Sequence, residues 1–152
     1  MLDYQEEAKN AFMACNRADH LLTKTYPQIN DPKLLLSVAD ALKDATINGI
    51  VAFLTFKEMN QMAKDLNVQV TLFKEHCVRE FKLKEDIFPV LDALQNIDGA
   101  RQVSPVEFRR KQKYVICSED YNMNVLDERL MKKHLIIVRD FLKRLEVTIN
   151  VR

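Results

Sequence analysis

Glycine and proline are scarce in this sequence, which restricts the folds that it can adopt. The 152 residues include two glycines, four prolines and no tryptophan. So few residues that interrupt regular structure argue against a β-sandwich and against a phosphate-binding fold with a glycine-rich loop. We therefore expect one domain over residues 1–152, built from long helices around a sizeable core.

Long apolar runs and an excess of one charge are missing as well. No stretch approaches the run of about 18 apolar residues that a transmembrane helix needs, and the acidic first residues do not resemble a signal peptide. The three cysteines, Cys15, Cys77 and Cys117, are far apart, which is typical of a reducing compartment. We therefore expect a cytoplasmic protein that does not bind membranes. The formal net charge of +1 leaves only a local patch for binding a polyanion.

Several motifs of common enzymes are absent too. The chain has no G-x-S-x-G, no H-E-x-x-H and none of the E-x-x-H pairs found in di-iron helical bundles. His76 stands beside Cys77 without further ligands at a suitable spacing, so we interpret it as a partly buried histidine. We expect neither a metal site nor a cofactor.

The most apolar stretch, residues 31–66, is the natural centre of the fold. Asp31 is a good N-cap, and Pro32 suits the first position of a helix, where no N–H group is needed. Polar residues form only one narrow stripe at helical spacing, so other helices must cover the remaining surface. Gly49 lies in the middle of this predicted helix, where glycine costs about 1 kcal/mol relative to alanine. We expect it to allow a close approach of a neighbouring helix.

Four more segments have helical patterns, so the sequence predicts an all-α class. The expected architecture is a single-domain helical bundle of four long helices plus one or two short helices. The four segments are residues 3–24, ended by Tyr26-Pro27; residues 68–81; residues 85–97, ended by Asp98-Gly99; and residues 124–148, starting near Asn124 with Asp127 as the reciprocal partner of a capping box.

The region between the last two predicted helices contains two opposing signals. Ser104-Pro105-Val106-Glu107 has the form of a capping box with proline at the first helical position, which predicts a short helix. Residues 114–123 begin with Tyr-Val-Ile-Cys, an extended pattern. We expect this second segment to cross the bundle as an irregular and partly buried chain.

A local concentration of positive charge lies in the same region. It comprises Arg109, Arg110, Lys111 and Lys113, preceded by Arg101 and followed by Tyr114. Cations beside an aromatic ring can bind phosphates and stack a base, so these residues are candidates for nucleic-acid binding. The alternative is a solvated helix end, where the helix dipole favours cations.

Arg129 and His134 are separated by four residues in the last predicted helix, with Lys132 and Lys133 between them. The spacing resembles the R-x(4–6)-H motif of the HEPN superfamily, whose members are small helical bundles, usually dimeric, and in many cases metal-independent ribonucleases. The resemblance implies that Arg129 would hold the phosphate charge and that His134 would transfer the proton during RNA cleavage. The family tends to place a polar residue after the arginine, where this sequence has Leu130. The alternative role for His134 is structural, because it lies on an apolar ridge.

A second resemblance covers most of the chain. Thr25-Tyr26-Pro27 with Asp31-Pro32-Lys33-Leu34-Leu35-Leu36 is similar to a pattern of small uncharacterised archaeal proteins. Ser104–Phe108 with the later Tyr114–Ser118 is similar to another segment of the same group. This resemblance implies a cytoplasmic helical bundle and carries no activity.

Two functions follow as hypotheses. The first is a HEPN-like protein that binds RNA through residues 101–114 and the last helix, including Lys132 and Lys133, with or without ribonuclease activity. The second is a non-catalytic helical interaction or scaffold protein, expected to be a homodimer or to bind another helical protein. The burial of His134 distinguishes them, because a catalytic histidine must reach a cleft.

Overall fold

The computed structural model describes residues 3–62, 64–103 and 106–150. These residues form a mostly helical protein with one small antiparallel sheet, so the helical expectation is confirmed and the all-α class is too narrow. The elements are α1 (Asp3–His20), α2 (Tyr26–Ile29), α3 (Leu34–Phe56), α4 (Leu66–His76), α5 (Ile87–Val103), β1 (Val106–Arg110), β2 (Lys113–Cys117), β3 (Met123–Leu126) and α6 (Glu128–Asn150).

The helix α3 is the centre of the bundle, as its composition predicts. It packs against α1, α4, α5 and α6, and Ala45, Ala52 and Phe53 are fully inaccessible. Tyr4 of α1 stacks edge-on against Phe56 at 5.1 Å between ring centroids. Arg17, near the end of α1, pairs with Asp44 in the middle of α3 at 3.5 Å. Because the two contacts run in opposite directions along the chain, the helices are antiparallel neighbours, as expected.

The boundaries of the first two predicted helices are wrong in detail. The chain stays helical through Tyr26-Pro27. A π-helical turn over Leu21–Thr25 changes the hydrogen-bond spacing, and Pro27 then lies in the first turn of α2. The helical segment ends at Asn30, whose φ of 56° and N–H bond to the Tyr26 carbonyl form a left-handed cap. Asp31 still accepts a hydrogen bond from the backbone of Lys33, although the regular part of α3 begins at Leu34.

The central helix ends ten residues earlier than predicted, at Phe56 and not near residue 66. Glu58 adopts a φ of 58°, and the N–H of Met59 bonds back to the carbonyl of Leu54. The next helix, α4, covers Leu66–His76 and not residues 68–81. Its N-cap is Asp65, whose carboxylate accepts hydrogen bonds from the backbone of Asn67 and Val68.

The structure corrects two further expectations, one about where α5 ends and one about the short helix predicted after it. The helix α5 continues through Asp98-Gly99 to Val103, because Asp98 pairs with Lys43 of α3 and holds this turn against the bundle. The predicted short helix is absent among the described residues from Val106 onward, where the chain forms β1 instead. The first two residues of that capping box, Ser104 and Pro105, lie outside the described residues.

The three strands pair in the order β1-β2-β3. The pairing places Phe108 beside Val115, and Val115 beside Val125. We expected residues 114–123 to be extended and irregular. The extended conformation is confirmed for β2, but this strand belongs to a sheet, so the segment is not irregular throughout. The helix α6 begins at Glu128, later than predicted, because Asn124 belongs to β3. Asp127 is therefore the N-cap and not the reciprocal partner of a capping box, and it accepts a 2.7 Å hydrogen bond from the Leu130 backbone.

Two findings on the described residues concern partners. None of the helices in residues 3–62, 64–103 and 106–150 is both long and apolar enough to cross a bilayer. In the same residues, histidine, cysteine, aspartate and glutamate side chains do not gather in a group of three or more that would bind a metal ion.

Candidate interaction surface

The sheet has two different faces because side chains alternate along each strand. One face is directed at the helices. It carries Tyr114, Ile116 and Leu126, which are buried in the core. The other face is directed at solvent, and we call it the outer sheet face. Its residues are Val106, Phe108, Arg110, Lys113, Val115, Cys117, Met123 and Val125, as the strand register requires.

The middle of the outer sheet face is apolar and accessible. Val106, Phe108, Met123 and Val125 are between 37% and 54% exposed. Val115 is buried but does not belong to the helical core, since its neighbours on the outer strands cover it. A shallow groove of about 300 Å³ runs beside these residues and continues to Arg110, Lys111 and Lys113. Contiguous apolar surface of this kind marks binding sites in monomeric proteins.

Three cations border this apolar surface at one end of the sheet. Arg110 of β1 and Lys113 of β2 lie directly opposite each other in the sheet. Lys111 lies in the connecting turn with a φ of 57°. All three are exposed, and among the described residues none of them takes part in an ion pair. Their charge is therefore available to a partner.

Two of the predicted phosphate-binding arginines are instead used inside the molecule. Arg109 donates to both carboxylate oxygens of Asp31, at 2.7 and 3.2 Å, and joins β1 to the start of α3. Hydrogen bonds from Arg109, the largest cause, and from the Lys33 backbone lower the pKa of Asp31 to about 2. Arg101 donates to Glu107 at 2.9 Å and joins α5 to β1. Both arginines fix the position of the hairpin, so they are less available to a ligand.

Tyr114, predicted to stack on a base, faces the core. It is 5% exposed, and its hydroxyl donates a 2.7 Å hydrogen bond to Glu107. Burial raises the pKa of Tyr114, while the hydrogen bonds from Arg101 and Tyr114 lower the pKa of Glu107. The ring therefore stabilises the sheet and offers no face to a ligand.

The structure separates Arg129 from His134. Arg129 is exposed on the first turn of α6, whereas His134 is 7% exposed and faces the interior. Neither ring nitrogen of His134 has a hydrogen-bond partner among the described residues. Desolvation lowers the pKa of His134. A buried imidazole without a proton-transfer partner is a packed side chain in this conformation.

The two lysines between them remain on the surface. Lys132 pairs with Glu128 one turn earlier, at 3.3 Å. Lys133 is exposed. Because Leu126 pairs with Tyr114, the first turn of α6 begins at the same end of the sheet as Lys113. Arg129 and Lys133 therefore lie at the same end of the molecule as the hairpin cations, together with the acidic Asp127 and Glu128.

A second groove, of about 290 Å³, lies between residues 82–86 and α6. Its lining mixes Lys82 and Arg144 with Asp86 and Asp140. Arg144 already donates through Nε to the Phe81 carbonyl at 2.9 Å. With both signs of charge present, this groove selects no ligand class.

The sequence interpretation missed the apolar part of the outer sheet face. The signal was present, since Val106-Glu107-Phe108-Arg109 alternates apolar and polar residues with the period of a strand. Two residues, Lys111-Gln112, then connect it to the β-rich segment beginning at Lys113. The capping-box pattern immediately before it favoured a helix and concealed the hairpin.

Comparison with protein-family models, with curated proteins and with solved structures found no match for this chain. The site geometry is therefore the basis for assigning a function.

Proposed function

We propose that this is a non-catalytic interaction protein that binds a protein partner through the outer sheet face. The observation that carries the proposal is the row Phe108, Val115 and Val125, which lies across all three strands. Beside it are three cations that form no ion pair with any residue that the structure describes. The helical bundle supports this face from behind, since Ile116 and Leu126 are buried in the core.

The chemistry of the face favours a protein over a nucleic acid. Bases bind to sheets mainly by stacking on aromatic rings. Phe108 is the aromatic residue of the outer sheet face, and the other apolar residues there are valines and a methionine. Aliphatic side chains of this kind bury well against other side chains. Cations beside them select a partner with acidic residues at its rim.

The position of His134 favours a non-catalytic role. General acid–base catalysis requires the imidazole to reach a substrate proton within hydrogen-bonding distance. His134 is buried, and Arg129 is exposed on the surface of the same helix. The HEPN-like reaction proposed from the sequence would need the two side chains to meet at one cleft.

RNA binding remains a second candidate, and one specific observation favours it. In the part of the chain that the structure describes, Arg110, Lys111 and Lys113 form no ion pair. They lie at the same end of the molecule as Arg129 and Lys133. Replacing the three hairpin cations with glutamine would then weaken RNA retention and lower its logarithmic salt slope by up to about three. The ion-paired Arg101 and Arg109 should contribute less than these three.

The experiment is an affinity purification of the tagged chain from its own cells, and it compares the proteins that co-purify with each variant. A variant with Phe108→Ser and Val125→Ser should lose a protein that the wild type retains, because the apolar contact area is removed. The matched control is Val68→Ser with Ile136→Ser, since these apolar residues on α4 and α6 are more exposed than Phe108 and Val125 and lie outside the outer sheet face. The control should retain the same protein as the wild type.

The thiol of Cys117 gives an independent readout on the same face. Cys15 and Cys77 are buried, and Cys117 is partly accessible at the end of β2. Its alkylation rate should fall when the retained protein is added. Equal retention by the face variant and the control would reject the proposal. If the wild type retains only RNA, and the three glutamine substitutions abolish that retention, RNA binding replaces the proposed protein interaction.

A further inference from the structure

We infer that the outer sheet face binds a second copy of this chain about a two-fold axis. The inference rests on the proposed function, because it uses the same face, and it specifies the partner. The reason lies in the charges at the two ends of the sheet, which are opposite in sign.

The positive end contains Arg110, Lys111 and Lys113, at the turn between β1 and β2. The negative end contains Glu119 and Asp120, in the turn between β2 and β3. Both acidic residues are exposed. Asp120 accepts a 3.0 Å hydrogen bond from the side chain of Asn122, and hydrogen bonding, first from Ser118, lowers the pKa of Asp120. The acidic end is therefore ordered by its own turn.

The apolar rows lie between these two ends. From Lys113 to Cys117 the strand β2 covers about 13 Å at the usual rise per residue. Val115 is in the middle, with Phe108 and Val125 beside it. The outer sheet face thus has a positive end, an apolar centre and a negative end.

A two-fold axis that lies in the plane of the interface and runs across the strands makes this face complementary to itself. Rotation by half a turn places the positive end of one copy against the negative end of the other, at both ends, and brings the apolar centres together. An isologous interface requires this self-complementarity. A heterologous partner would need only one of the two charged ends.

The size of the face predicts a weak dimer. Three strands at the usual spacing extend about 10 Å between the outer strand axes, and the two longer strands extend about 13 Å from the first to the last residue. A patch of these dimensions is smaller than a standard interface, which buries about 800 Å² on each partner, and is in the range of weak, transient complexes. We expect a reversible monomer–dimer equilibrium that weakens as salt screens the end charges.

The experiment reverses the charges of each end in separate proteins. The first variant is Arg110→Glu with Lys113→Glu, which makes both ends negative and keeps a like-charged pair across the strands. The second is Glu119→Lys with Tyr121→Lys, which makes both ends positive and leaves Asp120 in place. Tyr121 is 86% exposed, so its replacement removes little packing.

Self-association is measured by sedimentation equilibrium from about 1 μM to about 1 mM, the range of weak complexes. Each variant alone should dimerise about tenfold or more weakly than the wild type, because its ends repel. An equimolar mixture should recover a dimer containing one copy of each, because its ends attract. Circular dichroism should show the same helix content in all three proteins. If a reversal unfolds the chain, the neutral pair Arg110→Gln with Lys113→Gln should still weaken the dimer and remove part of its salt dependence.

A wild type that stays monomeric throughout this range overturns the inference. So does a mixture that stays monomeric although each folded variant has lost its dimer. Neither result removes the proposed function, which is tested by retention with the Phe108 and Val125 variant. If the first variant loses RNA and the wild type never dimerises, the cations serve RNA and the two-fold interface is rejected.

Discussion

At Gly49, a missing side chain allows the two longest helices to approach closely. A Cβ atom at this position would lie 2.7 Å from Cε2 of Phe141 and 3.0 Å from Cδ2 of Leu142. The ring of Phe141 cannot easily move away, because it also packs against Phe53 at 5.6 Å between centroids. The close approach expected from the sequence is therefore confirmed.

Replacing Gly49 with alanine should destabilise the fold. Alanine gains about 1 kcal/mol in helix propensity, but overpacking of the core costs about 1–3 kcal/mol. The overpacking should decide the sign, and chemical denaturation measures it. The matched control is Gly99→Ala in α5, where a Cβ atom would meet no other heavy atom within 4 Å. That control should stabilise the protein, and a similar gain at Gly49 would contradict the close-packing interpretation.

His134 makes the free energy of unfolding depend on pH. Burial lowers its pKa in the folded state below the ordinary value of about 6.5. The folded state therefore favours the neutral imidazole, and the unfolded state binds the proton more readily. Its contribution to stability is complete above the unfolded pKa and is lost as pH falls through that value toward the lower folded pKa.

The variant His134→Leu should reduce this pH dependence. It should also stabilise the protein at pH 5, because leucine has no ring nitrogens to leave unsatisfied. Denaturant titrations at pH 5 and pH 7.5 measure both effects. The control is His20→Leu on the exposed surface of α1. An unchanged pH dependence in His134→Leu would show that the buried imidazole does not control it.

At the scale of elements, one ion pair joins the hairpin to the central helix. Arg109 in β1 donates to Asp31 immediately before α3, and Asp31 also accepts from the Lys33 backbone. The hydrogen bond from Arg109 is the largest cause of the low pKa of Asp31, about 2. This carboxylate contributes stability above its unfolded pKa, and the contribution is lost as pH falls through about 2.

Removing the arginine should therefore raise the pKa of Asp31. In Arg109→Gln, a carbon-detected NMR titration of the Asp31 carboxyl group should move the midpoint toward its ordinary value near 4. The backbone bond from Lys33 should keep part of the shift. Arg110→Gln is the matched control, since Arg110 is the next residue of β1 and belongs to the outer sheet face, on the side away from Asp31. A midpoint that moves equally in both variants would indicate a general charge effect and not the ion pair.

In the whole molecule, a group of phenylalanines connects the peripheral helix α4 to the bundle. Phe73 is the fully buried residue of α4 among those described. Its ring lies 5.6 Å from Phe53 in α3, 5.8 Å from Phe88 in α5 and 5.9 Å from Phe141 in α6. One side chain thus holds one helix against three others.

Phe73→Ala should release α4 before the rest of the bundle unfolds. The truncation should cost about 3–5 kcal/mol in total stability. Hydrogen exchange should show the largest loss of protection in residues 66–83, with α1 and α3 changed less. Leu72→Ala is the control on the same helix, because Leu72 is only partly buried. Uniform loss of protection over all helices would show instead that the domain unfolds as one unit.

The sequence by itself determined the helical character, the central position of the 31–66 stretch and the close approach at Gly49. These features depend on composition and on the 3.6-residue period, which are local properties of the chain. The same local signals predicted the concentration of cations near residue 110 and a capping role for Asp127, but they placed the start of α6 near Asn124 and made Asp127 the reciprocal partner, whereas Asp127 is the N-cap itself. They also predicted Arg101 and Arg109 as ligand-binding residues, but residue type does not reveal that an acidic partner is close in space.

Only the tertiary structure decided which cations are free and which side chains face solvent. Asp31 and Arg109 are 78 residues apart in sequence, so their pairing depends on how β1 folds back over α3. The choice between helix and strand after Pro105 was also tertiary, because a hairpin forms when the core accepts Tyr114 and Ile116 on one face. That choice placed Phe108 and Val125 on the opposite face. Local propensity favoured a capping box, and the burial of the neighbouring strand outweighed it, since burying large apolar side chains stabilises more than one cap does.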